Sequence, residues 1–98
     1  MEAELERLRG ELLLAAGKRS DVVEAEACFQ RAMDVARKQR ARAWELRAAS
    51  SLARLWHRQG RPRDAQRLLA EATASFTEGF DTRDLRSAKD LLDWLARA

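Results

Sequence analysis

Two side chains in this chain of 98 residues could serve as a general base or a nucleophile, and each occurs once: His57 and Cys28. A histidine base needs a serine or cysteine placed to give up its proton, and the sequence sets none beside His57. Cys28 precedes Phe29 in an apolar row, which suits a small buried filler better than a reactive thiol. Without a second cysteine it forms no internal disulfide, and it lacks the paired spacing of a zinc site. Asp90 with Asp93, and Asp81 with Asp84, stand three apart, so helix geometry makes each pair neighbours, yet solvation and N-terminal capping account for them. The four glycines are isolated and form no phosphate-cradling loop. The sequence therefore predicts no catalysis, no cofactor and no metal.

Arginine offers a different chemistry. Arg47, Ser50, Ser51, Arg54, His57 and Arg58 recur at steps of three, four and seven, which puts them on one face of a helix opposite Leu52 and Leu55. Guanidinium groups stacked a turn apart can each fork two hydrogen bonds to a carboxylate, so Arg47, Ser50, Arg54, His57 and Arg58 form a candidate surface for an acidic peptide or a chain terminus. A solvated face explains the same residues without any partner and is the simpler reading. The charge balance, Lys+Arg 19 against Asp+Glu 16, leaves a net charge of +3. That excess is small for a nucleic-acid binder. Arg37, Lys38, Arg40 and Arg42 do cluster, but no aromatic stacking platform or recognition-helix pattern accompanies them.

These residues must be held by helices. A hydrophobic fraction of 46% with 36% charged residues, one proline and no tyrosine describes a small all-α domain. Leu5, Leu8, Leu12 and Ala15 or Ala16 predict a first helix from about Glu2 to Ala16 that buries this stripe, with Gly17 ending it. Ser20 or Asp21 can cap a second helix, with Glu24 placed as the capping-box partner of Asp21. Its buried row is Val22, Ala25, Phe29, Ala32 or Met33, and Ala36. The pattern restarts with Trp44, Ala48, Ala49, Leu52, Leu55 and Trp56. Between the two, either the chain turns near Gln39 to Ala41 or one helix runs through. The turn is preferred, because globular helices average about 11 to 12 residues. Gly60 and Pro62 mark a clear stop and restart. A fourth helix then carries Ala65, Leu68, Leu69, Ala72 and Phe76 to about Thr77. After Gly79, Asp81 or Thr82 caps a fifth helix with Leu85, Ala88, Leu91 or Leu92, and Leu95 on its apolar side.

Gly17 with Ala25, Phe29 and Ala32 is echoed about forty residues later by Gly60 with Ala65, Leu69 and Ala72, a period that marks a helical solenoid. With these residues in place the chain resembles a tetratricopeptide repeat array, in which Gly10 matches the small residue where paired helices cross closely and Leu52-Ala53 takes that place in the second unit. The resemblance implies an α-α superhelix of five helices: two helical hairpins, at about residues 2–40 and 42–78, closed by a capping helix at about 82–97, in a single domain spanning 1–98. It further implies that the first and third helices line a concave groove, which would set Glu4, Arg7, Glu11 and Leu14 against the arginine strip. The departures are about three extra residues after Gly17, leucine at Leu69 where an aromatic is usual, and no closing proline.

A narrower likeness rests on Leu5-Glu6-Arg7-Leu8-Arg9-Gly10-Glu11-Leu12-Leu13-Leu14, Ala25-Glu26-Ala27-Cys28-Phe29-Gln30-Arg31-Ala32, Trp44-Glu45-Leu46-Arg47-Ala48-Ala49 and Phe76-Thr77-Glu78-Gly79-Phe80-Asp81-Thr82. Together these are similar to the C-terminal repeat region of large bacterial regulators that join a cyclase or DNA-binding domain to a signalling ATPase. In that family a glycine often follows the glutamine at Gln39, where this chain has Arg40. The resemblance implies a non-catalytic protein-interaction module of a bacterial signalling protein. Alternatively, it implies an oligomerisation element or a fragment of such a regulator. The expected partner is a protein or peptide, of acidic character. A homodimer is a further expectation, since the first hairpin has no neighbour on one side and Trp44 or Trp94 could anchor an interface. The longest apolar run, Leu12 to Ala16, is far short of the roughly 20 residues that cross a bilayer. The acidic start is unlike a signal peptide, so the expected location is the cytoplasm, away from membranes.

Overall fold

Apolar residues at three- and four-residue steps wind this chain into five helices in the computed structural model, which describes residues 2–16, 19–74 and 83–97. They are α1 (Glu2–Ala16), α2 (Arg19–Lys38), α3 (Arg42–Arg58), α4 (Pro62–Ala74) and α5 (Arg83–Arg97). Among the described residues there is no strand, and the all-α class read from composition holds. Gly17, Gly79, Asp81, Thr82 and the expected end of the fourth helix at Phe76 and Thr77 lie outside the described residues. Asp21 lies within the first turn of α2.

The joint between α2 and α3 is a turn. Arg40 adopts a left-handed φ of 56°. Its amide donates to the Arg37 carbonyl at 3.1 Å, and the Ala41 amide donates to the Ala36 carbonyl at 2.8 Å. This pair of bonds satisfies carbonyls that the end of a helix would otherwise leave open. The same motif closes α3: Gly60 has φ 79°, its amide donates to the His57 carbonyl at 3.1 Å, and the Arg61 amide donates to Trp56 at 2.8 Å. An arginine thus performs at position 40 what glycine performs at position 60, against the steric preference of an L-residue.

Short turns fold the helices back on one another. Each packs on the next in sequence, and α3 also touches both α1 and α5. The molecule is therefore two rows, with α1, α3 and α5 in one and α2 and α4 in the other. The interior alternates bulk, with Phe29, Leu46, Leu52, Leu69 and Leu95 set among Ala25, Ala32, Ala49, Ala53, Ala65 and Ala88, all buried. The approach of α1 to α2 is close at Gly10. A Cβ built on Gly10 would lie 2.6 Å from Cε1 of Phe29, a separation real Cβ atoms do not show. Trp56 ties the two hairpins together: its indole Nε1 donates to Glu26 of α2 at 3.2 Å, while the Arg61 guanidinium lies 4.4 Å above the ring. Gln66 of α4 donates to the Leu95 carbonyl at 2.8 Å and so fixes the last turn of α5.

The expected buried stripe of α1 is overturned. Leu5, Leu8 and Leu12 are 62%, 45% and 72% exposed, and Ala15 is exposed as well. The helix instead buries Ala3 and Gly10 and leans Leu13 and Leu14 on the core. The physical reason is that α1 carries two apolar faces while α2 and α3 together cover only one.

Candidate protein-binding groove

The row formed by α1, α3 and α5 presents one polar seam and one mixed seam. On α1, Glu4, Arg7 and Glu11 recur at three- and four-residue steps; on α3 facing them stand Arg47, Ser50, Ser51 and Arg54. Arg7 donates to Glu4 through Nε at 2.7 Å and lies 3.6 Å from Glu11. Arg47 reaches across to Glu4 at 3.0 Å. Ser51 donates to Glu11 at 3.1 Å and accepts from Arg7 at 3.4 Å. Glu4 is held below the ordinary glutamate range, chiefly by the hydrogen bond from Arg7 and further by Arg47, while its partial burial opposes the shift. The α1–α3 seam is thus a closed ion network that joins the first hairpin to the second.

The α3–α5 seam is different. His57 and Trp94 stack with ring centroids 4.5 Å apart and planes inclined by 57°. With Leu91, Arg54 and Arg58 they line an open hollow of about 330 Å³. Arg54 also lines a second hollow of about 180 Å³ with Arg7, Arg47, Ser50 and Ser87, so it stands at the boundary of the two seams. Arg54 and Arg58 are exposed, and among the described residues neither has an acidic partner.

The five residues singled out in the sequence therefore separate. Arg54, His57 and Arg58 come together on one hollow. Arg47 is committed to Glu4, and Ser50 is 8% exposed at the floor of the smaller hollow. Ser51, expected on the same open face, is buried at 2%, because the network from α1 covers it. Helical periodicity alone places Leu91 and Trp94 only relative to their own helix. Their meeting with α3 depends on the turn of the superhelix, and the one signal in sequence was that Trp94 stands off the Leu91–Leu95 stripe. Trp94 is 48% exposed. Among the described residues no group of His, Cys, Asp or Glu converges as metal ligands would, and no helix is long and apolar enough to cross a membrane.

The arrangement can hold an extended or helical segment against a preformed surface by guanidinium–carboxylate pairing and by apolar contact with Trp94 and Leu91. No curated protein and no solved structure matches the chain. A family model described as tetratricopeptide repeat matches residues 2–78. Repeats of this kind generally mediate protein–protein interaction and are non-catalytic. Pairwise packing of α1 to α5, small residues at the crossings and a match over most of the length lead to one conclusion: the chain belongs to the tetratricopeptide repeat family.

Proposed function

We propose that the groove on the α1–α3–α5 row binds a protein or peptide segment of acidic character, with Arg54 and Arg58 as charge contacts and the His57–Trp94 pair with Leu91 as the apolar floor. The observation that carries this reading is the pair of exposed guanidinium groups, without acidic partners among the described residues, beside an apolar hollow. Ser50 and Arg47 contribute at the edge, where Arg47 must first leave Glu4. In this reading residues 1–98 are one interaction domain: repeat one over 2–40, repeat two over 42–78 and a capping helix over 82–97. Its setting in this reading is a cytoplasmic bacterial signalling or regulatory protein, a context that rests on the likeness of the phrases quoted above to the repeat regions of cyclase- and ATPase-containing regulators.

The test is the combined change of Arg47, Arg54 and Arg58 to alanine, with binding of an acidic peptide followed by tryptophan fluorescence. The account expects binding to be abolished while helix content by circular dichroism stays the same. Unaltered affinity rejects the strip as the site. A second reading, self-association as a homodimer or as the oligomerisation element of a larger regulator, is favoured by the exposed leucines of α1. Nucleic-acid binding through Arg37, Lys38, Arg40 and Arg42 is weakened by the pairing of Arg37 with Glu45 at 2.8 Å. Affinity for nucleic acid that stays flat from low to moderate salt eliminates it.

A further inference from the structure

The smaller hollow, of about 180 Å³, is lined by Arg7, Arg47, Ser50, Arg54 and Ser87. Its donors arrive from three helices: Arg7 from α1, Arg47, Ser50 and Arg54 from α3, and Ser87 from α5. Ser50 is 8% exposed, yet among the described residues its hydroxyl makes no hydrogen bond. Among those residues every side-chain oxygen or nitrogen that is closed off from solvent has a partner. The Ser50 hydroxyl therefore reaches open space, and the hollow that Ser50 lines is that space. A nearly buried hydroxyl without a partner is an exception in native proteins that a ligand oxygen would resolve. Arg54 adds a guanidinium with no acidic partner among the described residues. Arg7 is bonded to Glu4 and Ser51, but a guanidinium carries five N–H donors, so it has donors to spare.

We infer that this hollow receives the phosphoryl group of a phosphorylated serine or threonine in the bound segment. The inference rests on the peptide-binding reading of the groove and names the acidic group that the groove selects. A carboxylate takes its hydrogen bonds close to one plane, whereas donors from three helices match the three terminal oxygens of a phosphoryl group. Charge points the same way. Among the described side chains on this face, the guanidinium groups of Arg7, Arg47, Arg54 and Arg58 stand against the carboxylates of Glu4 and Glu11. The surplus suits an anion of charge about −2, as a phosphomonoester carries. Arg47 passes from Glu4, 3.0 Å away, to the phosphoryl oxygens. A peptide fits better than a nucleic-acid strand, because these donors converge on one point and do not follow a backbone track. The neighbouring hollow, which shares Arg54, offers Leu91 and Trp94 to an apolar side chain. Ser50 and His57, one from each hollow, are seven residues apart on α3, about 10 Å along the axis. In an extended segment of polyproline type, residues three apart point the same way at about 9 Å. The fitting segment therefore carries its phosphorylated residue three positions from an apolar one.

The experiment is fluorescence anisotropy of the full 98-residue chain with one labelled peptide in four forms. The tested position holds phosphoserine, serine, glutamate or a pair of glutamates matching the phosphoserine charge, each with leucine three residues on. The phosphoserine form is expected to bind about tenfold tighter than either glutamate form. In the double change Ser50→Ala with Ser87→Ala that ratio should fall toward one. Circular dichroism should show native helix content there, since neither hydroxyl bonds within the described residues. Glutamate forms that bind as tightly as phosphoserine overturn this inference and leave the groove reading standing; no binding by any form rejects both. A phosphoserine preference that survives the double change places the phosphoryl group elsewhere and also overturns it. Inorganic phosphate or a short single-stranded oligonucleotide that binds as tightly as the phosphoserine peptide does the same, by giving the hollow to another ligand.

Discussion

Gly10 is the residue whose replacement reports most directly on how closely the first two helices approach. Changing it to alanine improves helix propensity by about 1 kcal/mol, yet the new methyl would meet the buried Phe29 ring at 2.6 to 3.0 Å. Overpacking of this kind costs about 1–3 kcal/mol, so a net loss is predicted, read as a fall of several degrees in the thermal midpoint. A rise would mean that the ring yields freely. Glu4 gives a second prediction. Its carboxyl is held below the ordinary glutamate range by Arg7 and Arg47, so the folded chain takes up this proton less readily than the unfolded one. The contribution to stability is fully present above the ordinary range and is lost as pH falls through the lowered value. Glu4→Gln should therefore flatten the loss of stability on acidification, measured by urea melts; equal slopes in the two proteins would contradict the role of the α1–α3 network. At this scale the sequence disclosed the rows Ala25, Phe29, Ala32 and Ala65, Leu69, Ala72, because alternating bulk is written directly in residue type. It disclosed Arg47 and Ser51 poorly: whether a polar side chain is free depends on what faces it from another helix, and Glu4 and Glu11 lie some forty residues away.

Among the elements, the two turn motifs form an internal comparison. Arg40 and Gly60 hold the same left-handed position, and no atom crowds a Cβ built on Gly60 within 4 Å. The difference between them is therefore one of backbone preference, about 1–2 kcal/mol. Arg40→Gly is expected to raise stability by about 1 kcal/mol, and Gly60→Ala to lower it by a similar amount, both by chemical denaturation. An Arg40→Gly variant that is less stable than native would show that the arginine side chain contributes something the turn geometry does not. Helix existence was readable from periodicity throughout. The turn at Gln39–Ala41 carries no glycine or proline, and only the improbable length of an uninterrupted rod argued for it. The wrong face of α1 has a related cause: periodicity reveals that a stripe exists, and Leu5, Leu8 and Leu12 form a better stripe than Ala3, Gly10 and Leu14. Which stripe is covered depends on where α2 and α3 arrive.

For the molecule as a whole, stacking of hairpins produces one row whose exposed surface is chemically uneven. The α1–α3 seam spends its charges on itself, and the α3–α5 seam leaves two guanidinium groups beside Trp94. Repeats of this family generally mediate protein interaction, and the proposed binding site lies on the second of these seams. The measurement that bears most directly on this is a nuclear magnetic resonance titration of the labelled chain with a short acidic peptide containing one apolar side chain. The account predicts shifts concentrated on Arg54, His57, Arg58, Leu91 and the Trp94 indole, with α2 and α4 quiet. Shifts centred on α2 and α4, or none at saturating peptide, would contradict it.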